Sequence, residues 1–225
     1  MFKTNNLNFC SSVTKLSLLA SLFCIVSSDA VAQESKTKLP NIVFIITDDQ
    51  RFDEIAAVGN FPWMQTPNLD NLVNEGVHFK NAFVTTSLCG PSRASFLTGT
   101  YASRHGVIVN EHVDYDQELP TFPLLLQKAG YHTGFIGKWH QAIHNRPRPG
   151  FDHWMCFWGQ GKYFNDVFKM HDDQEHKMES GKYLTDELND LAVSFINQER
   201  GDQPFMLYLS HKAPHQPFTP APRHR

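Results

Sequence analysis

No block of like charge, no internal repeat and no low-complexity tract occurs in these 225 residues. Lysine and arginine number 20 against 23 aspartates and glutamates, a net charge of −3. The footprint of a nucleic-acid or membrane-surface binder is therefore missing, and a small or carbohydrate ligand is the better expectation. Nor is there an apolar run of the roughly 20 residues that a spanning helix needs. The longest, "LSLLASLFCIV" from Leu16 to Val26, is shorter. Cysteine is scarce, at four residues. What is present, 41% hydrophobic and 19% charged residues, fits one ordinary globular domain with a sizeable core.

Lys3 and Lys15 precede that apolar run, and Ala30, Val31 and Ala32 follow it in the small-x-small pattern that export peptidases cut. Residues 1–32 are expected to be a signal peptide, 33–39 a polar linker and 40–225 the folded domain, without a stable membrane anchor. Export, to the periplasm or the medium, would remove Cys10 and Cys24. Cys89 and Cys156 would then sit in an oxidising compartment, where a disulfide is one explanation for two thiols.

"PNIVFIITDDQ" reads as a strand buried on both faces that ends in Asp48 and Asp49. "TPNLDNLVNEG" reads as a helix capped by Thr66, with Leu69, Leu72 and Val73 on one face and Gly76 as its stop. "VHFKNAFVTT" is expected to be a strand, and Ser87 to Gly90 a loop ahead of a helix from Pro91 to about Thr98, closed by Gly99. "FPLLLQKAG" is a second helix ending in glycine. "YHTGFIGKWH" is a strand whose end carries Lys138 and His140. "LTDELNDLAVSFINQER" is an amphipathic helix, and "PFMLYLSHKAPH" a strand ending in His211, Lys212 and His215. Strands alternating with helices predict an α/β fold with a mainly parallel sheet flanked by helices, whose ligands bind at the carboxyl ends of the strands. The stretch from Gln141 to Tyr183 lacks a pattern and is rich in aromatics. Phe151 to Phe168 could contact a glycan or simply pack.

Cys89 could be a packed residue, half of a disulfide, a metal ligand or a reacting group. Its place beside the amino end of a helix favours an anion by ~0.3–1 kcal/mol and lowers a thiol's pKa, with Arg93 one turn on. Taken alone, Asp48 and Asp49 are as often a turn or cap as a metal site, and Lys138 and His140 could be incidental polar residues at a strand end.

"CGPSR" followed by "ASFLTG", joined in order by "TDDQ", "GKWH" and "HKAPHQP", resembles the formylglycine-dependent sulfatases of the alkaline-phosphatase-like superfamily. The resemblance runs from about Pro40 to Arg225. It implies that a formylglycine-generating or sulfatase-maturing enzyme oxidises Cys89 to formylglycine. One hydroxyl of the hydrated aldehyde attacks sulfur and the other expels sulfate. It further implies that Asp48, Asp49 and the converted Cys89 hold Ca²⁺ or Mg²⁺, that Lys138 binds sulfate, that His140 assists the formylglycine hydroxyl and that His215 protonates the leaving group. Lys212 is a candidate sulfate ligand. "GQGKYFND" and "SHKAPHQPFTPAPRHR" resemble the N-acetylglucosamine-6-sulfatase and mucin-desulfating subgroup, implying a sulfated carbohydrate substrate. The family completes its metal site with a later Asp and Asn that fall outside this sequence, which reads as a truncated N-terminal portion. The rival expectations are a phosphonate or phosphate ester hydrolase of the same superfamily, or an inactive remnant.

Overall fold

The computed structural model describes residues 38–111, 113–141 and 146–224. The expected signal peptide and most of the linker lie outside them. Among the described residues, no helix is long and apolar enough to cross a membrane.

Six strands make one mixed sheet: β1 (Ile42–Asp48), β2 (His132–Lys138), β3 (His153–Phe157), β4 (Val167–Lys169), β5 (Glu175–Lys177) and β6 (Phe205–Pro214), in the spatial order β1-β6-β2-β3-β4-β5. The first four in that order run parallel, while β4 and β5 add antiparallel pairs at one side. Parallel pairing directs the carboxyl ends of β1, β6 and β2 to one edge, and this is what gathers polar side chains there.

Alternation along the strands sorts two cores onto opposite faces of the sheet. On one face, Phe44, Phe135, Trp154, Cys156, Met206 and Tyr208 pack with Ala94 and Leu97 of α2 (Cys89–Thr98) and Phe122 and Leu126 of α4 (Phe122–Lys128). Phe135 stacks on Trp154 at 4.6 Å, and Phe44 meets Tyr208 edge-on at 4.8 Å between centroids. Such pairs add about 0.5–1.5 kcal/mol beyond the area they bury. On the other face, Ile136, Met155, Phe157, Leu207 and Leu209 meet Leu184, Leu188, Ala192 and Phe195 of α5 (Leu184–Ile196).

Several expectations are corrected. β1 is not covered on both sides: Phe44 packs inward, but Val43 and Ile45 are exposed, because β1 is the edge strand and α5 lies over β6 and β2. Residues 77–86 form no strand and are almost wholly exposed. α1 (Pro67–Glu75) forms as expected, yet none of its residues is buried. Thr66 makes no cap bond to it, and its hydroxyl accepts from the Ala56 N–H at 2.8 Å and bonds Asp70 Oδ1 at 2.9 Å instead. A short helix, α3 (Ala102–His105), was not anticipated. The patternless stretch contains β3, β4 and β5, and its aromatics mostly pack. Phe151, Trp154, Phe157, Tyr163 and Phe168 are buried, and Trp158 is exposed.

Candidate functional site

The site is built where β1, β2 and β6 end and α2 begins. Cys89 is the first residue of α2 and not part of the preceding loop, because Ser92 N–H already donates to Leu88 O at 2.9 Å and Pro91 sits in the first turn, where no donor is needed. Gly90 N–H is spent on Asn110 Oδ1 at 2.8 Å, and Gln141 Nε2 donates to Gly90 O at 2.7 Å. The helix therefore presents fewer open N–H groups to an anion than its position suggests.

Asp48 ends β1 after a register shift against β6. It turns one carboxylate oxygen to Cys89, with Oδ1 at 3.4 Å from Sγ. Its other oxygen accepts from Lys138 Nζ, which also donates to Gln160 Oε1. Asp49 adopts a left-handed backbone (φ 60°), which aspartate tolerates, and brings Oδ1 to 4.0 Å from the same sulfur.

Arg93 does not project to solvent. Its Nη1 donates to Lys138 O at 2.8 Å and to Ser210 Oγ at 2.5 Å, and its Nη2 lies 3.7 Å from Asp48 Oδ1. Ser210 Oγ in turn donates to Lys138 O at 2.6 Å. One buried network thus ties α2, β2 and β6 to the end of β1.

His215 donates from Nδ1 to Gln216 O at 2.7 Å, and its Nε2 lies 3.6 Å from Asp49 Oδ2. Tyr163 Oη donates to His215 O at 2.6 Å and holds that turn. Lys212 is buried. Its ammonium donates to Gln216 O at 2.9 Å and lies 4.9 Å above the Tyr163 ring centroid. His211 lies apart, beside Thr47, Glu54 and Thr185, with its Nδ1 lacking a hydrogen-bond partner. No disulfide links Cys89 and Cys156; the latter is fully buried in β3.

Electrostatics follow from this packing. Burial pushes the Cys89 thiol up, and Asp48 and Asp49 add to that against the opposing pull of Lys138. The thiol is held protonated. Burial alone would raise the Asp48 carboxyl, but Arg93 and Lys138 more than reverse it and hold it below its ordinary value. Burial and Arg93 pull Lys138 down while Asp48 opposes them.

His140, with a left-handed backbone at φ 53°, is pushed down to about 4, first by burial and then by Lys138 and Arg93. It stays a neutral imidazole. Below its ordinary pKa of about 6.5 the unfolded chain takes up a proton that the folded one refuses until about 4. Stability therefore falls as pH drops across that window. Urea midpoints measured from pH 7 to pH 4.5 should decline, and His140→Gln should flatten the decline. His153, likewise depressed to about 4 by burial, leaves a residual slope. An unchanged slope in the variant would remove His140 as a source.

The structure thus brings Asp48, Asp49, Cys89, Arg93, Lys138, His140, Lys212 and His215 into one neighbourhood. Asn110, Gln141, Gln160, Tyr163 and Ser210 also belong to it and were missed. Each is an ordinary polar residue by sequence, and only its long-range partner marks it.

A hard divalent cation fits this donor set in part. Two carboxylates face Cys89, which would add oxygen once it is no longer a thiol, against about six to eight oxygens for Ca²⁺.

Residues 40–225 match the family model described as Sulfatase. The chain is 40% identical over 202 residues to an N-acetylglucosamine-6-O-sulfatase of Bacteroides thetaiotaomicron, covering 88% of this chain and 35% of that protein. An ulvan-active sulfatase of Formosa agariphila is 33% identical over 210 residues, 90% of this chain and 40% of its own length. A solved structure in complex with its substrate D-glucosamine-2-N,6-O-disulfate superposes with a TM-score of 0.74 at 40% identity, covering 82% of this chain and 36% of that one. The chain therefore spans little more than a third of the length of these proteins.

Proposed function

Since this chain belongs to the sulfatase family, we propose that it carries the nucleophile of an exported enzyme that hydrolyses sulfate esters of a glycan, with a 6-O-sulfated amino sugar as the substrate class. The observation that carries this is the convergence of Asp48, Asp49 and the Lys138 network on Cys89 at the amino end of α2. The sugar preference rests on the relatives' names and on 40% identity.

A thiol held protonated by its surroundings is a poor nucleophile, which suits a precursor. Converted to formylglycine by a maturing enzyme, Cys89 would supply a hydrated aldehyde carrying both an attacking hydroxyl and a second one to expel sulfate. A bound Ca²⁺ or Mg²⁺, held by Asp48, Asp49 and the converted residue, would act as Lewis acid.

The chain's own residues then have distinct tasks. Lys138 and Lys212 would supply the positive charge that a sulfate needs, and Lys212 also braces the His215 turn through Gln216 O. Arg93 holds β2 and β6 in place and adds its charge to Asp48. His140, neutral because it is buried, can accept a proton from the attacking hydroxyl. His215, with Nδ1 fixed on Gln216 O, offers Nε2 for proton exchange at the leaving oxygen.

The test is expression with a formylglycine-generating enzyme. Peptide mass spectrometry across Ser87 to Arg93 should show the thiol converted, and sulfate should be released from N-acetylglucosamine-6-sulfate faster than phosphate from the matching phosphate ester. A thiol left unconverted, or faster phosphate release, would overturn the proposal.

A further inference from the structure

Before conversion, the same edge of the sheet carries a donor set of a different chemical character. One atom each from Asp48, Cys89 and His215 lies within 4.8 Å of the other two. A tetrahedral ion with bonds of about 2.0–2.3 Å needs ligands roughly 3.3–3.8 Å apart, so side-chain shifts of about an ångström close the gap.

Thiolate, imidazole and carboxylate together do not suit Ca²⁺, which wants oxygen alone, but they are the ligand classes that Zn²⁺ takes. We propose that the unconverted thiol form binds one Zn²⁺ through Cys89 Sγ, His215 Nε2 and Asp48 Oδ1, with water as the fourth ligand.

The second contacts of the cluster already meet the requirement for such a site. His215 Nδ1–H is donated to Gln216 O at 2.7 Å, which fixes the tautomer and leaves the Nε2 lone pair for the ion. Tyr163 Oη holds the His215 carbonyl at 2.6 Å and so the turn that aims the ring. On Asp48, Lys138 occupies Oδ2, while Oδ1 faces the sulfur at 3.4 Å with Arg93 Nη2 3.7 Å away. Binding breaks the S–H bond, sends that proton to solvent and forms the S–Zn bond. The thiolate supplies a negative charge that the site lacks while the thiol is protonated, and Asp48 supplies a carboxylate oxygen that it shares with Lys138 and Arg93.

The consequence is that a chain folding around Zn²⁺ before maturation keeps its thiol, because the sulfur's reactive lone pair is engaged. This inference concerns the thiol form alone and stands whether or not the converted protein acts on sulfate esters.

The test uses the full chain expressed without a maturing enzyme and confirmed by mass to carry a Cys89 thiol. Competition with a chromophoric chelator should show one equivalent of Zn²⁺ bound. Alkylation of the Cys89 peptide should slow in its presence. Cys89→Ser and His215→Ala should each lower affinity by at least about 10–100-fold, the loss that even an outer partner's removal causes. His224→Ala, an exposed histidine, should leave it unchanged. Circular dichroism checks that the variants fold, and alkylation protection in the unaltered chain needs no variant. Unslowed alkylation at stoichiometric Zn²⁺, or affinity unchanged in folded Cys89→Ser or His215→Ala, would overturn the proposal.

Discussion

Gly137→Ala is expected to cost most of the chain's folding stability. Gly137 lies in β2 opposite Ser210 of β6, with φ +120°, and a Cβ built on it would meet Ser210 O at 1.9 Å. Nothing flexible can yield there, since the obstacle is the neighbouring strand's backbone. Forced packing and a disfavoured backbone each cost about 1–3 kcal/mol, against a total of about 5–15 kcal/mol for a typical domain. The strands must also separate, which breaks the contacts from Arg93 and Ser210 to Lys138 O. Urea unfolding followed by circular dichroism should show a loss of about 4 kcal/mol or more, or no cooperative transition. Gly99→Ala is the control. Gly99 has φ +66° with nothing within 4 Å of its built Cβ, and about 1 kcal/mol is expected there. Equal effects at the two positions would show that backbone conformation alone, and not the approach of β6, demands glycine at Gly137.

Asp48→Asn should be the next most damaging change. The side chain of Lys138 is 0% exposed and that of Arg93 2%, and both face Asp48. Removing the one carboxylate between them leaves two buried cations without a counter-charge, and breaking a buried pair in this way costs about 3–5 kcal/mol. Because the folded pKa of Asp48 lies below its ordinary value of 3.8, its contribution is present above about pH 4 and is lost as pH falls through the lower folded value. The destabilisation should therefore be clear at pH 7 and shrink in strong acid. Adding Lys138→Met to Asp48→Asn removes one stranded cation and should restore part of the loss, giving a non-additive cycle. Asp202→Asn, at the exposed Lys38–Asp202 pair, should change nothing measurable. An Asp48→Asn midpoint no lower than that of Asp202→Asn would show that Lys138 and Arg93 are satisfied by Gln160, Ser210 and the backbone alone.

Both predictions concern contacts that no local pattern announces. Cys89 and Asp48 are 41 residues apart and Lys138 and Asp48 are 90 apart. A motif names such residues in order, but not which of them is buried against which. The thiol shows the difference. A helix amino end should lower its pKa, and in the fold burial and the two aspartates raise it. The insert shows it again. Aromatics in a glycine- and proline-rich stretch fit a glycan platform or a core equally well, and pairing with β2 turned most of them into core.

By itself the sequence determined what local chemistry can determine. The apolar β-branched run before Asp48, the glycine that ends α2, and the helical spacing of Leu188, Ala192 and Phe195 fix elements through backbone preference and periodicity. The "CGPSR" signature likewise marked the sulfatase family. Only the tertiary structure decided how the marked residues are used. Strand order made β1 an edge with Val43 and Ile45 uncovered, and parallel pairing carried Asp48, Lys138 and His215 to one place. Burial there spends Lys138 on Asp48 and Gln160 and keeps His140 neutral. The reason is physical: desolvation and charge pairing depend on what surrounds a group in space, and those neighbours come from distant parts of the chain.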